Sequence, residues 1–205
     1  NAWVTSPMYR GFEQILHGKQ PQDALVYTPR ICGICSVSQS VATAAALANL
    51  TGVEVPRNGE LATNLIHATE NIADHFTHFY LFFMPDFARE VYKGKNWHPE
   101  VVNRFKAVKG VVAKDVMRAR AELMHIMGLL AGKWPHTLGI QPGGCSRSVE
   151  AQEKVRLLSI ISAFKAFLEQ KLFGDRIENL LAINSEAELK QWAETTDPNQ
   201  SDFSR

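Results

Sequence analysis

Long hydrophobic runs are missing from this 205-residue chain. The roughly twenty consecutive apolar residues that a helical bilayer crossing needs occur nowhere. No basic segment followed by an apolar one opens it, as an export signal would. Charge of one sign is also missing: 22 Lys and Arg against 21 Asp and Glu leave a formal net charge of +1. Without a basic surplus there is no electrostatic case for a nucleic-acid partner. Cysteine is scarce, at three residues; three cannot all pair, and an unpaired Cys-x-x-Cys suits a reducing compartment. The expectation is a cytoplasmic protein, attached to membranes only through partners. Internal repeats and low-complexity linkers are absent. The chain begins at Asn1, and its last residues, from Ala193 to Arg205, form a polar run that closes no hydrophobic pattern. A piece of a longer protein is expected.

What remains is an ordinary globular composition, 45% hydrophobic and 21% charged, enough for a substantial core. Its charges are unevenly placed. From Ile31 to Ala88 the one Lys or Arg is Arg57, whereas Arg89 to Lys133 holds ten. The first stretch should therefore be buried on most sides and the second should carry a wet face. An Ala-rich segment after Cys35 predicts a helix that stops at Gly52. A second helix is expected from Asn58 to Met84, ended by Pro85, with Leu61, Leu65, Ala68, Ile72, Phe76, Phe79 and Phe83 as its apolar stripe. Beside it runs a polar stripe of Asn64, His67, Asn71, Asp74 or His75, and His78. A third helix is expected from Pro99 to about Leu130, through Val101, Phe105, Val108, Val112, Val116, Leu123 and Leu130. After the Gln-Pro-Gly-Gly turn, a fourth is expected from Val149 to Leu172. The fold class is mainly α, a long-helix bundle in one domain over residues 1–205, with short strands expected in the first thirty residues.

The chemistry concentrates at Cys32 and Cys35, just ahead of the Ala-rich helix, where a helix N-terminus favours thiolate. Structural zinc would need two more ligands at recognisable spacing, and Cys145 lies far away in a glycine-rich turn as a small packed residue. A redox dithiol fits the spacing but normally sits among alternating strands and helices. Half of a four-thiolate site for a soft metal is the third possibility, and spacing cannot choose among nickel, iron, zinc and copper.

The run Arg-Ile-Cys-Gly-Ile-Cys-Ser-Val-Ser-Gln resembles the N-terminal cysteine motif of nickel-iron hydrogenase large subunits, Arg-x-Cys-Gly-x-Cys-x-x-x-His. Four further stretches agree in order: Tyr9 to Glu13, Asp74 to Tyr80, Phe82 to Arg89, and Pro135 to Gly144. The resemblance implies a long-helix core, H2 cleavage to protons and electrons, and a nickel-iron centre whose iron carries carbon monoxide and cyanide. It implies Cys32 as a terminal nickel ligand and Cys35 as the nickel-iron bridge. Asp74 would stand beside the metals, Glu13 would help to hold magnesium, and Ile34 and Phe82 would line the gas path. The family's other two thiolates, from an Asp-Pro-Cys-x-x-Cys-x-x-His motif, are absent from this sequence, and its proton-transfer glutamate would precede Asn1. His75, His78 and His136 fall inside matching motifs, where a packed histidine is more often structural than a ligand.

The departure from the motif is Gln39, where most relatives carry His; an amide keeps hydrogen bonding but cannot take a proton near neutral pH. That form is similar to the cyanobacterial-type uptake and H2-sensing regulatory branch. The implied partners are H2 and a small subunit carrying iron-sulfur clusters, with a histidine kinase as partner if the chain is a slow-turnover sensor. A metal-free dithiol oxidoreductase is the alternative of a different class.

Overall fold

The protein is described from a computed structural model covering residues 2, 3, 5, 7–197 and 199–204. Helices dominate, and the only sheet among these residues is an antiparallel pair, β1 (Ile140–Gln141) and β2 (Gly144–Cys145), with Ile140 opposite Cys145. The mainly α expectation holds. The strands are elsewhere than expected: among the described residues of the first thirty there is no strand, and those from Phe12 to Arg30 build helical turns, α1 (Phe12–Leu16), α2 (Ala24–Tyr27) and two 3₁₀ turns between Pro21 and Arg30. Pro21 and Pro29 sit in the first positions of those turns, where a missing N–H costs nothing. Among the described residues, no helix is long and apolar enough to cross a membrane.

The chain divides into two compact units. The first comprises Asn1–Asn71 and Ile126–Val149. It contains α3 (Ser36–Thr51) and most of α4 (Arg57–Thr77). Helix α3 ends at Gly52, whose positive φ of 68° allows the amides of Gly52 and Val53 to close on the Ala48 carbonyl. Its apolar centre includes the fully buried Val37, Ile66, Ile126, Met127 and Ile140. One close approach fixes this unit: a Cβ on Gly59 would lie 2.8 Å from the Gly143 carbonyl oxygen, and one on Gly144 would lie 2.7 Å from the Gly59 Cα. The Gln-Pro-Gly-Gly turn thus packs backbone to backbone against α4.

The second unit comprises Ile72–His125 and Glu150–Arg205. The helical path continues from α4 through a π-helical segment, His78–Phe83, into α5 (Met84–Phe87). Pro85 therefore does not stop the chain at Met84. It falls in the first turn of α5, just after the wide turn resets the hydrogen-bond ladder.

The expected third helix is split into α6 (His98–Phe105), α7 (Ala113–Leu123) and α8 (His125–Ala131), which crosses from the second unit into the first. Gly110 causes the first break: the loop folds back so closely that a Cβ there would lie 2.3 Å from the Arg104 carbonyl oxygen. Val108 takes a φ of 68° and is almost wholly exposed, while Val101, Phe105, Val112, Val116, Leu123 and Leu130 are all buried. The fourth helix is α9 (Ala151–Phe167), extended by a π turn to Phe173; α10 (Ile177–Leu181) and α11 (Glu186–Thr195) follow.

The polar C-terminal run is not idle. Asp202 is buried, accepts a hydrogen bond from the Tyr80 hydroxyl at 2.9 Å and pairs with Arg104 at 2.5 Å. Burial pushes the Asp202 carboxyl above its usual range, opposed by Arg104, and drives the Tyr80 phenol far up.

The buried face of α4 also differs from the expected stripe. Phe76 of the expected stripe is buried, but Leu61, Ile72 and Phe83 are exposed, whereas Ala62, Ile66, Thr69, Glu70 and Ala73, followed by Tyr80, are buried. Both sides of the helix carry apolar residues, so counting them selected the wrong side. The region from Ile31 to Ala88, expected to be enclosed, carries exposed apolar side chains including Leu50, Val53, Phe82 and Phe83.

Asp202→Ala should lower unfolding free energy by about 2–4 kcal/mol, because it strands Arg104 and the Tyr80 hydroxyl; urea denaturation measures this. Gly59→Ala should cost about 1–3 kcal/mol by overpacking against Gly143 and Gly144, seen as an earlier thermal transition.

Candidate metal-ligand site

Cys32 and Cys35 lie on the turn that delivers the chain into α3, and Cys35 occupies the N-cap position of that helix. Both are free thiols at intermediate exposure. An N-cap is normally Ser, Thr, Asp or Asn, whose oxygen satisfies the first free amides. The Cys35 side chain makes no such bond. The capping is done from another helix by a residue that apolar and cysteine spacing did not single out, Glu70 of α4.

Glu70 is 2% exposed. It accepts from the Val37 amide at 2.9 Å and the Ser38 amide at 3.0 Å, the second and third residues of α3. The hydroxyls of Ser36 and Ser38 each donate to it at 3.3 Å, and the Trp134 indole N–H donates at 2.9 Å. Every group in this set donates, so both carboxylate oxygens are satisfied. Ser38 Oγ also meets His67 Nε2 at 3.0 Å, which ties one member of the expected polar stripe into the network.

His136 holds the turn from another side. Its amide donates to Ser36 Oγ at 3.2 Å, and its Nδ1 lies 3.0 Å from the Pro29 carbonyl oxygen. A carbonyl only accepts, so Nδ1 carries the proton. His136 thus bonds on both flanks of the cysteines, at Pro29 before Cys32 and at Ser36 after Cys35.

Within the turn the two sulfurs are inequivalent. The Cys35 amide points at Cys32 Sγ from 3.4 Å. A hydrogen bond from the Cys35 thiol, then that amide, hold the Cys32 thiol below its usual range. Burial, then the neighbouring Cys32, push the Cys35 thiol up, while the Gln39 amide pulls it down. Gln39 lies one helical turn on, with Nε2 3.6 Å from Cys35 Sγ. Cys32, Cys35 and Gln39 are therefore brought together.

The remaining expected site residues are exposed. Ile34, between the cysteines, is 58% exposed. Glu13 is exposed on α1. Asp74, His75, His78 and Phe82 are exposed residues of the second unit. Cys145, in its glycine-rich turn, donates to the Leu130 carbonyl at 3.4 Å. Among the described residues no cluster of three or more His, Cys, Asp or Glu side chains could hold a metal ion. Two soft thiolates on one turn fit part of a nickel or iron thiolate set, not a whole one.

A sequence profile of the nickel-dependent hydrogenase family matches residues 10–96. One component of the F420-non-reducing hydrogenase vhc of Methanococcus voltae is 32% identical over 180 residues, which is 83% of this chain and 36% of that protein. The hydrogenase-2 large chain of Escherichia coli (strain K12) is 29% identical over 150 residues, 66% of this chain and 25% of that one. Among solved structures, the oxidised Ni-Fe-Se hydrogenase from D. vulgaris Hildenborough superposes with a TM-score of 0.68 at 28% identity, over 80% of this chain and 35% of that one. The chain spans about a quarter to a third of the length of these relatives.

In the metal-free protein Cys32 should be alkylated faster than Cys35 near neutral pH, because its thiol is held lower. Mass mapping after a timed iodoacetamide pulse reads the order, and Gln39→Ala should slow Cys35 further.

Proposed function

We propose that this chain belongs to the nickel-dependent hydrogenase large-subunit family, to which its similarities point, and is an N-terminal part of a large subunit that oxidises H2. It would supply two of the thiolates of the nickel-iron centre, Cys32 to nickel and Cys35 as the bridge. The observation that carries this reading is the pair of free, partly exposed thiols at the start of α3, with the capping duty taken over by Glu70. When bound, a nickel-iron centre with carbon monoxide and cyanide on iron supplies heterolytic cleavage of H2.

This chain's own residues prepare for that centre. Glu70 and His136 fix the turn before metal arrives, so little ordering cost remains on binding. Gln39 donates toward Cys35 Sγ, which tempers that sulfur's charge without offering a proton acceptor. The exposed apolar side chains of Leu50, Val53, Phe82 and Phe83 are read as surface on which the rest of the large subunit packs. That remainder would bring two further cysteines, and electrons would leave through a small subunit with iron-sulfur clusters. Asp74 would face the metals, Glu13 would contribute to a magnesium site, and Ile34 with Phe82 would narrow the gas route. Gln39 favours the uptake branch, with an H2 sensor signalling to a kinase as the second reading.

Nickel and iron should be present in the full-length heterodimer, with carbon monoxide and cyanide infrared bands, and both should vanish in Cys32→Ser and in Cys35→Ser; metal retained by either variant overturns the ligand assignment. Rapid H2-dependent reduction of an artificial dye separates an uptake enzyme from a sensor. Replacing Ile34 and Phe82 together by Ala should increase inhibition by O2, and an unchanged response would remove them from the gas route.

A further inference from the structure

The polar network behind the cysteine turn has a feature that metal ligation by itself does not require: a buried carboxylate. Glu70 lies on the face of α4 that holds Ile66, Ala73 and Phe76. Burying a carboxylate there costs several kcal/mol unless donors surround it. Donors from two directions do so, the amides and hydroxyls at the start of α3 and the indole of Trp134. An amide side chain would satisfy this cage poorly, since its nitrogen would face N–H donors. The site is therefore built for an anion and not for hydrogen bonding in general.

Its position relative to the thiols is equally specific. The Val37 and Ser38 amides that Glu70 receives are two and three residues beyond Cys35. They belong to the positive end of the α3 dipole, the field that would otherwise act on Cys35 alone. Glu70 neutralises that end and leaves the Cys35 sulfur uncommitted.

We propose that Glu70 is a positioning and charge-setting residue for the metal centre: as a remote N-cap it fixes the start of α3 and hence Cys35, and as a buried anion behind the turn it increases electron donation from the two thiolates to the metals. The proposal rests on the nickel-iron reading above. Ser38 and Trp134 hold the carboxylate in place and carry no charge of their own. Glu70 touches no reacting atom.

Infrared spectroscopy of the intact heterodimer reads electron density on iron directly, since less donation strengthens the carbon–oxygen and carbon–nitrogen bonds. Glu70→Gln keeps the shape and removes the charge, whereas Trp134→Phe removes one donor and keeps the charge. The expected result is a joint upward shift of the carbon monoxide and cyanide bands in Glu70→Gln, with Trp134→Phe bands near the wild-type positions. Unmoved bands in Glu70→Gln, or an equal shift in Trp134→Phe, overturn the proposal. If Glu70→Gln loads no metal, Glu70→Asp decides: loaded centres with bands near the wild-type positions support the charge role, and no loading overturns it. Wild-type protein without any such bands ends the nickel-iron reading itself, a separate outcome.

Discussion

The capping of α3 by Glu70 is the interaction on which the cysteine turn depends. A helix start leaves several amides without partners, and a cysteine at the N-cap does not satisfy them. Here two of those amides are received by a carboxylate from α4, 33 and 32 residues away in sequence. The consequence is a division of labour. Cys35 occupies the structural position of a cap while its sulfur stays available, and the electrostatic task goes to a residue buried behind it. Without that carboxylate, α3 would begin with unsatisfied donors inside the core, and the turn would have to reshape to reach water.

Two other contacts make the turn rigid. His136 bonds to both of its flanks, and the Gly59 and Gly144 backbones lie too close for any side chain between them. The Gln-Pro-Gly-Gly segment matters because it packs against α4, the helix that carries Glu70. Thus α3, α4 and the loop from Trp134 to Cys145 form one interlocked set around the thiols within the first unit. In the second unit the comparable anchor is Asp202, which ties the C-terminal run to Tyr80 and Arg104.

Much of the fold was legible because helices announce themselves locally. The Ala-rich α3 and its Gly52 stop, the fourth helix and the mainly α class all follow from propensity and end signals. The break at Gly110 was not legible, since a glycine inside a helical period is compatible with a continuous helix. The apolar residues of the expected third helix remain buried after the break, apart from Val108, so periodicity reported burial correctly and continuity wrongly. The same limit misplaced the buried face of α4. Apolar residues on both sides left the choice open, and the buried side includes Glu70, which reads as polar. A carboxylate in register with Ile66 and Ala73 was the available signal.

The sequence by itself determined where candidate ligands stand: two thiols at the fixed spacing of one turn, a glutamine one helical turn later, and ordered motifs that resemble those of hydrogenase large subunits. Those features are local, and the four-residue reach of a helix start is enough to encode them. Only the tertiary structure decided what surrounds the thiols. Bringing Glu70, Trp134 and His136 to the start of α3 requires contacts across 33 to 107 residues of chain. Burial and hydrogen-bond satisfaction choose among such contacts, and neither is expressed in residue spacing.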